Sequence, residues 1–147
     1  MIDQLKLINF KNKNENFFIF RPIALSKSIN FLKKKFNGKI LYSIKSNPAK
    51  YILNEIKKNG IKSFDASSIE EIKSTAKIIP DAEFFFMNPV KPRYSISEAY
   101  FKFGVRNFAL DCSDELDKIL VQTKNAKDLI IHLRLKVKNK FSKIDLS

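Results

Sequence analysis

Apolar positions along the chain follow two rhythms that take turns. Short runs rich in aliphatic and aromatic residues occur at 39–45, 61–65, 83–87, 106–111 and 128–137, and they predict β-strands. Their starts lie roughly 20–24 residues apart, the length of a strand, two short loops and one helix. Between the runs the spacing turns helical. Leu25, Ile29, Leu32 and Phe36 make an i, i+4, i+7, i+11 stripe before the first strand. Ser68 with Glu71, and Ser95 with Glu98, have the spacing of a capping box, and Gly60 and Gly104 stand where glycines end helices. Asn47-Pro48 opens a helix over 49–59, and Asp111-Cys-Ser-Asp opens one over 115–122. No linker or low-complexity stretch interrupts this βα period.

Five strands in βα order fit an open doubly wound sheet or part of a (β/α)₈ barrel, and the strand ends help to choose. Lys45, Asp65, Asn88 and Asp111 each follow or close a β run at its C-terminal end, the rim along which parallel α/β folds place their chemistry. On the fifth strand, alternation puts His132, Arg134 and Lys136 on one face and Ile131, Leu133, Leu135 and Val137 on the other. An open sheet covered by helices on both sides needs apolar residues on both faces, whereas a barrel lets a polar face look inward. A closed barrel needs eight strands and usually about 250 residues. The expected fold is therefore a partial α/β barrel of about five βα units, with the chain stopping in mid-barrel.

Composition narrows the function classes. The 147 residues, 44% hydrophobic and 29% charged, predict one globular domain or a piece of a larger one. No apolar run approaches the roughly 18 residues a membrane span needs, so no membrane partner is expected. The N-terminus shows no leader pattern and the single Cys112 cannot build a disulfide framework, which together predict a cytoplasmic protein. The net charge of +13 raises nucleic acid as a partner. However, 24 of the 28 basic residues are Lys, spread along the chain, where base and phosphate readers favour Arg. Abundant Lys, Ile, Asn and Phe are also what AT-rich codons encode. The one dense basic run, Lys33-Lys34-Lys35, falls on the solvent side of the first helix, and no nucleic acid is expected.

Four motifs in fixed order carry a resemblance: Tyr42-Ser-Ile-Lys45-Ser-Asn-Pro48, Phe64-Asp-Ala-Ser67, Met87-Asn-Pro-Val-Lys91 and Phe108-Ala-Leu-Asp111. The chain resembles the fold-type III pyridoxal-phosphate (PLP) decarboxylases, and looks most like their ornithine decarboxylase branch, from near Phe18 to its last residue. Asn88-Pro-Val-Lys91 is similar to the ornithine side of the family rather than the diaminopimelate side. The resemblance implies an alanine racemase-like barrel with a β-sandwich domain to follow, so that 1–147 is the N-terminal part of the PLP-binding barrel domain. It implies a small basic amino acid, most like L-ornithine, as substrate in polyamine synthesis, and a homodimer for the full-length enzyme.

On residues alone, Lys45 shares a strand face with Leu41 and Ser43, so it points into the barrel mouth, where desolvation frees an amine to attack an aldehyde. A solvated surface charge is the alternative for any one of so many lysines. The resemblance makes Lys45 the lysine that holds PLP as an internal Schiff base. Asp65 and Glu71 are open to a helix-capping reading, Glu71 as the partner of Ser68. The resemblance places Asp65 beside that lysine and Glu71 in the same polar network. Where relatives often have Asp-x-Ala-Ser, this chain has Asp65-Ala-Ser-Ser68. Arg134 in a core needs a partner for its charge. The family has an arginine at the matching place near the PLP ring, and the alternative is an ion pair with Asp65 or Asp111. His132 and Cys112 match no catalytic position of the family and are expected to be structural or inert.

The glycines at 38, 60 and 104 cannot make a Gly-rich phosphate cradle, and no strand offers an acidic partner for the pyridine nitrogen. By resemblance those parts lie downstream, so the 147-residue polypeptide alone is expected to be inactive. No metal ligand set is expected. The competing readings are a non-catalytic PLP-binding or regulatory homologue and a Lys-rich nucleic-acid-binding domain.

Overall fold

Five parallel strands stand side by side in the order in which the chain makes them, β1-β2-β3-β4-β5. The computed structural model describes residues 19–135. The elements are α1 (Pro22–Lys35), β1 (Leu41–Ser43), a 3₁₀ turn (Ile44–Ser46), α2 (Lys50–Lys58), β2 (Ser63–Ala66) and α3 (Ile69–Ile78), followed by β3 (Glu83–Phe86), α4 (Arg93–Phe103), β4 (Asn107–Leu110), α5 (Ser113–Gln122) and β5 (Ile130–Leu133).

The strand order decides between the two candidate architectures. Right-handed crossovers that always step to the next position put every helix on the same side of the sheet. A doubly wound sheet would reverse direction at a switch point. Here the order never reverses, and the sheet is the arc of a (β/α)₈ barrel that the described strands do not close.

Alternation along the strands sorts their side chains accordingly. Phe64, Ala66, Phe84, Phe86, Phe108 and Leu110 face the helices and pack with Ile72, Ile96, Ala99 and Ile119 into the core. Phe64, Phe86 and Phe108 are fully buried, each contributing about 2 kcal/mol of transfer free energy. The intervening positions face the side that no described helix covers: Ser43, Asp65, Phe85, Asn107 and His132 among them.

Several element bounds differ from the sequence expectation, each for a local reason. The first strand ends at Ser43, not at Lys45. Tyr42 Oη donates to the Asn47 carbonyl at 3.1 Å and Asn47 Oδ1 accepts from the Ala49 amide at 3.1 Å, an Asx-type turn that folds the chain off the ladder. Lys45 therefore sits on the 3₁₀ turn immediately after the strand. The fifth strand is confined to Ile130–Leu133 because its partner β4 ends at Leu110, whose carbonyl accepts from the Arg134 amide. Lys136 and Val137 lie outside the described residues.

Ser68 caps α3 as expected, its Oγ accepting from the Glu71 amide at 3.2 Å. Ser95 caps nothing. Pro92 already occupies the N-cap of α4, and its carbonyl accepts from Ser95 and Ile96, which leaves Ser95 buried inside the first turn. Glu98 turns instead to Lys73 and Lys102, at 2.9 and 3.1 Å. Gly104 and Gly60 have φ of +66° and +73° after α4 and α2, the left-handed backbone that favours glycine. The α1 stripe is only half used: Ile29 is buried, but Leu32 and Phe36 are 47% and 56% exposed.

Candidate functional site

At the C-terminal rim of the sheet, the ends of β1 and β2 carry three polar groups of chemical interest. Lys45 is exposed on the turn after β1, and its side chain has no hydrogen bond or ion pair among the described residues. Asp65 stands on the neighbouring strand, in register with Ser43, half-buried and likewise without a side-chain partner. Burying part of a carboxylate with no donor is costly unless a ligand or cation satisfies it. Ser43 adds a third group: its Oγ is buried and makes no hydrogen bond. The structure thus brings Lys45, Asp65 and Ser43 together at the end of β1 and β2.

Glu71 and Arg134 are placed differently. The Glu71 carboxylate accepts from the Ser67 amide at 2.7 Å, which fixes the turn directly after Asp65-Ala66. Arg134 directly follows β5, which stands three strands from the β2 strand that carries Asp65. Its backbone is held in place by the bond from its amide to Leu110.

Beneath the rim the inner face is polar and aromatic. His132 Nε2 lies 3.1 Å from Asn107 Oδ1, and the ring packs against Phe85 at 5.7 Å between centroids. Lys39 Nζ lies 2.8 Å from both Glu83 carboxylate oxygens and 5.3 Å from the Phe85 centroid, and Ser63 Oγ donates to Glu83 at 2.6 Å. These bonds, Lys39 first and Ser63 second, hold the Glu83 carboxyl below the ordinary glutamate range. Cys112 is exposed, at the N-cap of α5.

One polar cluster was invisible from the sequence. Lys91 is a buried lysine whose ammonium lies 3.0 Å from Glu115 Oε1 and donates to the backbone carbonyls of Asn88, Pro89 and Ala109. Burial, above all, pushes its pKa down. Lys118 approaches the other Glu115 oxygen. Asn88-Pro-Val-Lys91 was readable as a motif, but nothing in the spacing pointed to Glu115, 24 residues on. In the sequence Ser43 stands out only as a strand-face neighbour of Lys45.

These groups suit an aldehyde-bearing cofactor. A free primary amine can carry the aldehyde carbon, an adjacent carboxylate can hold the positive charge of that nitrogen, and a hydroxyl without a partner can donate to a polar atom. None of the described loops is a glycine-rich phosphate cradle. Among the described residues no helix is long and apolar enough to cross a membrane, and no cluster of metal-ligating side chains occurs.

None of the curated proteins compared with the chain matches it. Solved structures do. The arginine decarboxylase of Paramecium bursaria Chlorella virus superposes with a TM-score of 0.71 at 24% identity, covering 82% of this chain and 32% of that one. Ornithine decarboxylase from Entamoeba histolytica gives 0.70 at 26% identity, covering 83% and 37%. The lysine/ornithine decarboxylase of Vibrio vulnificus, complexed with cadaverine, gives 0.65 at 23% identity, covering 82% and 32%. The chain spans about a third of the length of these structures. The sequence family described as the pyridoxal-binding domain of pyridoxal-dependent decarboxylases matches residues 24–146, nearly the whole chain, with pyridoxal phosphate as its cofactor. The chain belongs to the pyridoxal-dependent decarboxylases, within their pyridoxal-binding domain.

Proposed function

We propose that residues 1–147 are the N-terminal part of the barrel domain of a PLP-dependent decarboxylase acting on a basic amino acid. The observation that carries this reading is the unpaired Lys45 amine at the C-terminal end of β1, one strand from the unpaired carboxylate of Asp65. When bound, the cofactor supplies an electron sink for the carbanion left by departing CO₂. Lys45 Nζ would hold the cofactor's aldehyde, and Asp65, at Oδ, would keep the proton of that nitrogen in place. Glu71 would act at one remove, by fixing the turn that follows Asp65-Ala66. Arg134 would approach from the far side of the arc.

L-ornithine is the preferred substrate in this reading, on the strength of Asn88-Pro-Val-Lys91, with putrescine as product. Arginine, ornithine and lysine decarboxylases all appear among the similar structures, which supports the basic amino-acid class. The functional unit proposed is a cytoplasmic homodimer of the longer protein.

The test is borohydride reduction of PLP-loaded protein expressed from the complete reading frame, followed by peptide mapping. The pyridoxyl label should fall on Lys45. A label on Lys91, or spread over surface lysines, overturns the assignment. Lys45→Ala should abolish CO₂ release from ornithine, lysine and arginine while leaving the melting temperature unchanged.

A further inference from the structure

Ser43 is the last residue of β1, and its strand position fixes where its side chain points. Tyr42 and Ile44 on either side turn into the helical layer, Ile44 completely buried, so Ser43 faces the inner side with Asp65 opposite it in register. Its Oγ is buried and unpartnered. A hydroxyl removed from water with nothing to bond destabilises a fold, and native proteins rarely keep one without a use. The neighbouring groups of the turn are already committed: Tyr42 Oη to the Asn47 carbonyl, and Asn47 Oδ1 to the Ala49 amide. Asp65 makes no bond to it. The only other buried side-chain atom in this condition among the described residues, Thr75 Oγ1, lies on α3 in the helical layer, away from the rim.

We infer that the Ser43 hydroxyl is a further cofactor contact, donating a hydrogen bond to an acceptor atom of the ligand that Lys45 holds; this rests on the reading of Lys45 as the anchor. The two residues lie on one edge of the mouth, two positions apart, so a ligand attached at Lys45 and lying over the inner face passes the Ser43 side chain. The orphaned hydroxyl is then satisfied on loading and unsatisfied before it.

That asymmetry sets the experiment. In protein expressed from the complete reading frame, Ser43→Ala and Ser43→Thr are compared with the parent by equilibrium dialysis against PLP and by melting with and without the cofactor. Ser43→Ala should melt no lower than the parent when cofactor-free, because an unbonded hydroxyl is lost, yet bind PLP about five-fold more weakly, the size of one neutral hydrogen bond. Ser43→Thr, which keeps the hydroxyl, should bind within about two-fold of the parent. A lower cofactor-free melting temperature with unchanged affinity would assign the hydroxyl to the fold and overturn the inference, as would no change in either. Borohydride labelling of the parent separates the two levels: a label on Lys45 with unaltered Ser43→Ala affinity removes only the role of Ser43. A label elsewhere removes both.

Discussion

Lys91 and Glu115 face each other at 3.0 Å with side chains 0% and 2% exposed, joining the turn after β3 to the first turn of α5. The Lys91 amide also donates to Glu115, and its ammonium reaches the carbonyl of Ala109 on β4. Two turns of the rim are thus fastened to each other behind Asn88 and Asp111. A buried pair held by so many additional bonds is costly to break from one side, because the surviving charge stays in the interior. Lys91→Met or Glu115→Gln should each lose about 3 kcal/mol or more in urea unfolding. The double variant Lys91→Met with Glu115→Leu should recover part of that loss, since neither charge remains. A loss below about 1 kcal/mol in both single variants would show that the pair contributes little.

The Glu83 cluster at the opposite end of the strands carries a pH dependence. Lys39 and Ser63 hold the folded carboxyl below its ordinary value of 4.5. A carboxylate with a depressed folded pKa contributes stability that is fully present above the unfolded value and is lost as pH falls through the folded one. With 43% of its side chain exposed, the Lys39–Glu83 pair is screened by solvent, and the contribution is at most about 1 kcal/mol. Glu83→Gln should therefore be less stable than the parent at pH 7, with the gap closing below pH 4.5. Urea midpoints at a series of pH values measure this, and a gap that stays constant to pH 3 would contradict it.

Glu71 offers a way to separate capping from cofactor contact. Its carboxylate accepts from the Ser67 amide, and Ser68 Oγ accepts from its own amide. Ser68→Ala and Glu71→Ala should each lose about 1 kcal/mol of stability. Glu71→Gln keeps an acceptor oxygen and should lose much less. If Glu71→Gln weakens PLP binding strongly with its stability intact, the side chain belongs to the cofactor network as well as to the turn.

The extent to which the sequence spoke for the structure follows from which interactions are local. Strands and helices were legible because each buries one face at the period of its own backbone, as Phe64 and Ala66 or Ile69, Ile72 and Thr75 do. The cap at Ser68 was legible because its partner is three residues away. The same spacing misled at Ser95, where Pro92 starts the helix first. Periodicity alone extends β1 to Lys45, because it does not reveal the Asx turn at Asn47 that follows the early end of the strand. Pairs formed across the sheet, Lys91 with Glu115 and His132 with Asn107, depend on strand order and register, which no local pattern encodes.

The two outer strands lead to the last prediction. Among the described residues β1 pairs only with β2 and β5 only with β4, so each presents one unpaired row of backbone N–H and C=O groups. Beside the β5 edge, Ile131, Leu133 and Leu135 are exposed on the face that turns toward the helices. Exposed apolar residues next to an open strand edge promote pairing between chains. The charge of +13 opposes this through repulsion, but salt at about 0.15 M screens charges beyond roughly 8 Å, whereas strand pairing acts at contact. The polypeptide of 147 residues expressed by itself should consequently self-associate in physiological salt and lose structure early and gradually on heating. Raising the salt should enlarge the sedimenting species. A monomeric sedimentation profile with a sharp, cooperative melt would mean that the open edges do not drive association, and that the five strands and their helices form a self-sufficient module.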